Sequence, residues 1–278
     1  MSTESPREGG RVEPAGAIRF VKAEANGNDF LIVDAAAVAA ARRPDFSRSI
    51  CDRHRGVGAD GVEFVRPLGA GFELTLHNAD GGEAEISGNG ARCVAAFYAK
   101  HGFRAGTLHT GAGPRPTRVL DGGGERWLIE LDLGAPALAG EVRLEAAGRA
   151  WEATVLSMGN PQCVVVVPDF PPDWEAAGAA LEAHPHFPQR TNVEFARVRD
   201  RHHIELRIFE RGVGPTHSSG TGSSAAAVAV MARGLADSPL EVATPGGIQK
   251  VVWPGGDAAV KLVGPATLVA EGLFWWQG

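Results

Sequence analysis

Two Ala-rich, nearly apolar segments, residues 91–102 and 223–234, each follow a Ser-Gly-x-Gly turn: Ser87-Gly88-Asn89-Gly90 and Ser219-Gly220-Thr221-Gly222. Each segment is apolar over its first two turns and ends at glycine, the pattern of a helix buried on most sides. A helix without a polar face has to be enclosed by its own domain. Ser87 and Ser219 lie 132 residues apart in a chain of 278, close to half its length. That period is too long for a solenoid. It predicts two similar halves, each a sheet wrapped around one central helix.

The rest of the chain supplies sheet. Residues 29–34, 72–77, 126–133, 163–168, 191–198 and 203–210 are rich in Val, Ile, Leu and Phe and are bounded by Gly, Pro, Asn or Asp, as strands are. Residues 44–54 and 172–184 read as further helices. The expected fold class is α/β (α+β), with two pseudo-symmetric domains, each a mostly antiparallel curved sheet around its helix. Residues 17–134 with 265–278 form the first domain and 135–264 the second. Residues 134–140, a Gly/Pro/Ala stretch, are the expected linker, and a last strand over 266–274 is expected to return to the first half. Residues 1–16 are polar, lack the apolar stretch of a secretory signal, and read as a disordered leader.

Charge narrows the function classes. Lys+Arg 27 against Asp+Glu 33 gives −6, so no basic field recruits nucleic acid or an anionic membrane. No apolar run approaches the roughly 20 residues that span a bilayer, and a cytoplasmic protein is expected. Three cysteines, Cys51, Cys93 and Cys163, exclude a disulfide framework and match no zinc spacing. They read as buried packing residues, and no metal site is expected; His202-His203 reads as a turn before a strand.

The glycine turns carry the chemistry. A helix N-terminus offers unpaired N–H groups and partial positive charge, and glycine lets a ligand approach the backbone. Two such termini facing each other would grip a carboxylate. Ser87 and Ser219 would then stand on opposite faces of the ligand, the geometry for moving a proton across a carbon. The same turn is also an ordinary N-cap; its appearance twice, with Asn-rich segments between, favours the ligand reading. Those segments contain Asn28, Asn78, Asn160 and Asn192, whose amides suit a ligand bearing both ammonium and carboxylate groups. Glu210-Arg211 closes a strand just before the second turn and offers a carboxylate for an ammonium and a fork for a carboxylate. His217 is a candidate activator of Ser219.

These residues together resemble the diaminopimelate epimerase family. The match runs from about Ile18 to Phe274 through NGNDFLIVD, DRHRGVGADG, HNADGGEAEISGNGARC, SMGNPQCV, FPQRTNVEF, LRIFERGVGPTHSSGTGSSAAAVAV, TPGG and GPATLVAEG. The resemblance implies two α/β domains in pseudo-twofold relation with the site between them. It implies epimerisation of an amino acid without metal or cofactor, by two cysteines flanking the α-carbon. It puts substrate contacts on Asn28, Asn78, Gly88, Asn89, Asn160, Asn192, Glu210, Arg211, Gly220 and Thr221. The catalytic set carried over is Ser87, Ser219, Glu210 and Gln162. The partner implied is a small amino acid, and a homodimer is left open.

Several positions depart from the family pattern. Serines occupy both cysteine positions. Gln162 stands where the family usually has His, Gly61 where a substrate-touching Gln is usual, and Ala270 where a Tyr helps dimerisation. Gly61 is expected to open space for a larger ligand. An aliphatic hydroxyl ionises roughly five pKa units above a thiol, on the order of 6–7 kcal/mol, and a helix dipole recovers at most about 2 kcal/mol of it. The deficit is roughly four to five powers of ten in rate, so a serine base needs an activating partner. The additional departures favour natural divergence over an isolated exchange of both bases. The leading expectation is a cofactor-independent amino-acid epimerase, most simply of diaminopimelate. The alternatives are a divergent isomerase or dehydratase acting on another amino acid, and a binding protein that has lost its bases.

Overall fold

A computed structural model describes residues 16–277; the expected leader falls almost wholly outside them. The first half contains β1 (Ala17–Ala25), β2 (Asn28–Asp34), α1 (Arg43–Cys51), β3 (Gly61–Leu68), β4 (Gly71–Asn78), β5 (Glu83–Ala84), α2 (Gly88–Lys100), β6 (Ala105–Thr110), β7 (Gly113–Gly123) and β8 (Arg126–Asp132). The second contains β9 (Ala137–Ala146), β10 (Arg149–Ser157), β11 (Pro161–Val166), α3 (Trp174–Glu182), β12 (Asn192–Asp200), β13 (His203–Glu210), β14 (Gly214–Thr216), α4 (Gly220–Ala232), β15 (Leu240–Thr244), β16 (Gly247–Val252) and β17 (Lys261–Trp275).

The strand pairings repeat. In the first half β2–β3 and β4–β6 are parallel; in the second β11–β12 and β13–β15 are parallel. All other pairings are antiparallel. Each parallel pair is bridged by a helix, as a parallel connection requires: α1 and α3 at the first, α2 and α4 at the second. The strands form one continuous sheet that wraps around α2 in the first half and α4 in the second. Helix α2 packs on β1, β2, β3, β7, β8 and β17, and α4 on β10 to β13 and β15 to β17. From Gly220 to Val230 every residue of α4 is buried, and its alanines let strands approach from all sides.

Strand β17 does return to the first half. It pairs with β16 over Lys261–Val263, with β1 over Thr267–Trp275, and with β8 along its opposite edge. The expected linker at 134–140 is shorter than read. Strand β9 begins at Ala137, and Gly140, at φ 110°, absorbs a register shift against β10 that a side chain would resist.

Both helices begin three residues before the apolar runs suggested, because the glycine turn is itself their first turn. Ser87 Oγ accepts from Gly90 N at 3.0 Å and Ser219 Oγ from Gly222 N at 3.2 Å. Both end in the same Schellman closure. Phe103 N donates to Tyr98 O at 3.0 Å around Gly102, and Leu235 N to Val230 O at 2.9 Å around Gly234.

Beneath each first turn lies a buried carboxyl. Glu63 on β3 is 2% exposed and Glu194 on β12 0%. A Cβ at Gly90 would overlap the Glu63 carboxyl, and one at Gly222 would lie 2.7 Å from Glu194 Oε1. Both oxygens of Glu194 lack a partner among the described residues. Burial lifts Glu63 to about 8 and Glu194 well above the usual carboxylate range, the latter also through the charge of Glu210.

Gly90→Ala is therefore expected to destabilise the fold by about 2 kcal/mol through overpacking, measured by urea denaturation. Gly123→Ala, whose added carbon meets nothing within 4 Å, should change stability by under about 0.5 kcal/mol. The raised carboxyls bind protons in the folded state that the unfolded chain has released. Stability is thus fullest below the unfolded value near 4.5 and is lost as pH rises through the folded value of about 8. Glu63→Gln should flatten that decline between about pH 5 and 8 in the same measurement.

Candidate functional site

The two helix entrances meet head-on. An ideal Cβ at Gly88 would sit 3.0 Å from Gly220 Cα, and one at Gly220 would sit 2.9 Å from Gly88 Cα. Only glycine at both positions allows this approach. The first-turn N–H groups of both helices lack intrahelical partners and converge on one cavity of about 690 Å3 between the halves.

Ser87, Gly88 and Asn89 line this cavity on one side; Ser219, Gly220 and Thr221 line it on the other. Asn28, Asn78, Asn160, Asn192, Glu210 and Arg211 are also on the wall. Every residue singled out from the sequence is there except Gln162. Gln162 is fully buried behind the wall, where its Nε2 donates to Asn160 Oδ1 at 2.7 Å. It orients Asn160 and does not face the cavity.

Hydrogen bonds fix the amides. On the first side, Arg92 Nη2 donates to Asn89 Oδ1 at 2.7 Å, Asn89 Nδ2 to Asn28 Oδ1 at 3.3 Å, and Asn28 Nδ2 to Asp60 Oδ2 at 2.5 Å. Arg53 Nη2 then holds Asp60 Oδ1 at 2.7 Å. On the second side, Asn160 Nδ2 donates to Thr221 Oγ1 at 3.4 Å. Asn192 Oδ1 accepts from Arg211 N at 2.9 Å, and its Nδ2 donates to Pro161 O at 3.1 Å. The halves are tied by Asn89 Nδ2, which donates to Ser218 Oγ at 3.5 Å, and by Arg92 Nη1, which donates to Gln249 Oε1 at 3.3 Å; Gln249 Nε2 in turn donates to Ser218 Oγ at 2.8 Å. Across the mouth, Arg211 Nη2 lies 3.6 Å from Glu85 Oε2.

The chemistry differs between the sides. Glu210, at the end of β13, accepts from Thr216 Oγ1 at 3.4 Å and lies beside Ser219, whose hydroxyl favours its ionised form. It opens on the cavity but is otherwise enclosed, and this desolvation raises its carboxyl to about 7 against the opposing effect of those hydroxyls. The matching residue at the end of β4 is Asn78, a neutral amide. His217 lines the cavity, but the described polar contacts of the Ser219 hydroxyl are with Glu210, Thr221 and the Gly222 N–H. Gly61 does not open the cavity. A Cβ there would lie 2.9 Å from His77 O and 3.2 Å from Leu76 Cδ1, so β4 fills the space.

Sequence reasoning missed Arg92, Asp60, Ser218 and the two buried glutamates. Arg92 is fully buried, and its guanidinium donates to neutral oxygens of Asn26, Asn89, Gln249, Gly88 and Pro265. Burial pulls its guanidinium down to about 10, still charged at neutral pH. A signal for the glutamates existed. Val-Glu-Phe occurs at Val62-Glu63-Phe64 and again at Val193-Glu194-Phe195, placing a carboxyl in two otherwise apolar strands. Among the described residues no group of three or more His, Cys, Asp or Glu is arranged to hold a metal ion, and no helix is long and apolar enough to cross a membrane.

Comparison with known proteins gives the same architecture and a family. The chain is 38% identical over 283 residues to diaminopimelate epimerase of Nostoc punctiforme, covering 92% of this chain and 99% of the relative. It is 40% identical over 275 residues to that of Azoarcus, covering 92% and 98%. A probable proline racemase from Agrobacterium radiobacter superposes with a TM-score of 0.73 at 16% identity, over 92% of each chain. A predicted epimerase from Pseudomonas aeruginosa gives 0.73 at 16% identity, over 92% and 98%. These structures share the fold. The diaminopimelate epimerase profile matches residues 20–139 and 154–269, both repeats of the fold and both glycine turns. With two relatives aligned over nearly their whole length, the chain belongs to the diaminopimelate epimerase family.

Proposed function

We propose that the protein is a cofactor-independent amino-acid epimerase that moves the α-hydrogen of its substrate between Ser87 and Ser219, with diaminopimelate the substrate the family implies. The observation that carries this reading is the contact of Gly88 with Gly220, which brings two helix N-termini, each capped by one serine, onto a single cavity. The first-turn N–H groups would take the α-carboxylate and stabilise the negative charge that spreads onto it when the α-proton leaves. Asn and Glu side chains on the wall would receive the ammonium group, and Arg211 would take a distal carboxylate on exchange for Glu85.

Ser219 has its activating partner. Glu210, beside it and raised by burial to about 7, can accept the hydroxyl proton when ionised and return it when protonated. A second reading is a one-base isomerisation or elimination. It is favoured by the asymmetry between Glu210 and Asn78, which leaves Ser87 facing an amide on the cavity wall.

In heavy water, the purified protein should wash deuterium into the α-position of diaminopimelate, read by NMR or mass spectrometry. Ser87→Ala and Ser219→Ala should each lower epimerisation by at least about 100-fold. The Ser219-dependent exchange should rise with pH through about 7, because a protonated Glu210 cannot accept the hydroxyl proton; Glu210→Gln should remove that rise. Absence of exchange with diaminopimelate would remove the epimerase reading; turnover of hydroxyproline or another cyclic amino acid would favour the one-base reading, and tight amino-acid binding by calorimetry without turnover the binding-protein reading.

Replacing both hydroxyls by thiols, Ser87→Cys with Ser219→Cys, should raise the epimerisation rate by several powers of ten, because a thiol ionises far more easily at a helix N-terminus. An unmoved rate would argue for a ligand other than diaminopimelate.

A further inference from the structure

Ser219 has a carboxyl partner on the cavity wall and Ser87 has none, yet a hydroxyl that takes a proton needs somewhere to send its own. The carboxyl placed for this lies beneath α2. Glu63 is 2% exposed, packed against Gly90 in the turn that Ser87 caps. Burial alone raises its carboxyl, which makes no hydrogen bond among the described residues. Glu63 and Ser87 both line a small second cavity of about 10 Å3, together with Glu85, Leu74, Leu76 and Thr110. That volume takes about one water molecule, and the site offers it polar partners in Glu63, Ser87 and Thr110.

We propose that Glu63, through one water in this cavity, is the proton acceptor and donor for Ser87. The proposal rests on the reading of Ser87 as an acid/base group. In one direction the substrate Cα–H bond breaks and its proton bonds to Ser87 Oγ. The Ser87 proton passes to the water, and a water proton passes to the Glu63 carboxylate. The electron pair stays on the substrate, spread onto the α-carboxylate at the helix termini. On the other face Ser219 gives its proton to Cα and is reprotonated by the carboxylic acid of Glu210. Glu63 ends protonated and Glu210 ionised, and the reverse reaction restores both. Burial raises both carboxyls toward neutral pH, so each can take up and give back a proton there.

Glu63 touches no substrate; it is a positioning residue acting through Ser87. Two other titratable groups face it. Cys93 on α2 feels its charge, and its own thiol is pushed up by burial beyond physiological ionisation. Glu85 borders the same small cavity but is exposed and ion-paired with Arg211.

The test uses Ser87→Cys as a reporter, with thiol alkylation by iodoacetamide followed against pH. An ionised Glu63 should hold the new thiol's pKa up, so E63Q in the S87C background should move the alkylation midpoint down by about one unit or more. E85Q in that background should move it far less. In the wild-type background E63Q should lower kcat for epimerisation by about 100-fold with KM unchanged; in the S87C background, where a thiol needs no relay, the same change should cost under about threefold. Coincident alkylation profiles with and without E63Q, or a shift produced by E85Q instead, would overturn the proposal whatever the turnover. A shift on E63Q in a protein that exchanges no amino acid would defeat the epimerase reading alone and leave the Glu63–Ser87 link standing.

Discussion

The close approach of Gly88 to Gly220 sets everything else in the molecule. Two helix N-termini carry like partial charges, so pointing them at each other costs on the order of 1 kcal/mol at an effective dielectric of about 20. The fold sustains this because each helix is wrapped by the strands of its own half and because β17 joins the two, pairing with β16 of the second half and with β8 and β1 of the first. An anion seated between the termini removes the repulsion and turns it into attraction. The same contact would thus favour an anionic group between the termini.

Buried charge reinforces that selection. The Arg92 guanidinium lies behind Asn89 and spends its donors on amide and backbone oxygens with no carboxylate among them. Its positive charge therefore has no directly bonded carboxylate, although Glu24 acts on it from farther away, and it adds to the field an anionic substrate would feel. At the matching place in α4 stands Ser224, whose Oγ donates to Gly220 O at 2.9 Å, just as Arg92 Nη1 donates to Gly88 O at 3.3 Å. The repeat keeps the hydrogen bond that steadies the first turn and puts the charge on one side only.

The acids show the same broken symmetry. Glu63 and Glu194 occupy equivalent strands and press on equivalent glycines. The residues that close the next strands differ, Asn78 in one half and Glu210 in the other. A reaction that carries a proton across a carbon needs one face ready to take while the other is ready to give. Under the proposed reading, two halves of similar geometry and unequal carboxyls would meet that need, whereas a perfect repeat would present two groups in the same state.

Most of the architecture was legible in the chain itself. Apolar runs closed by Gly102 and Gly234 announced two enclosed helices, and the repeated Ser-Gly-x-Gly announced two halves, because a buried helix and a close backbone approach each demand particular residue types. The wall residues Asn28, Asn78, Asn160, Asn192, Glu210 and Arg211 were legible for the same reason: each stands at a strand end or turn, where side chains face a cleft. The sequence could not say that Gln162 turns away from the cavity, that β4 fills the space at Gly61, or that Glu63 lies under Ser87. Those facts depend on strand register and on which groups meet across more than a hundred residues of chain. Local composition decides what each segment becomes; only packing decides which carboxyls lose their water, and with it which of them can hold a proton near neutral pH.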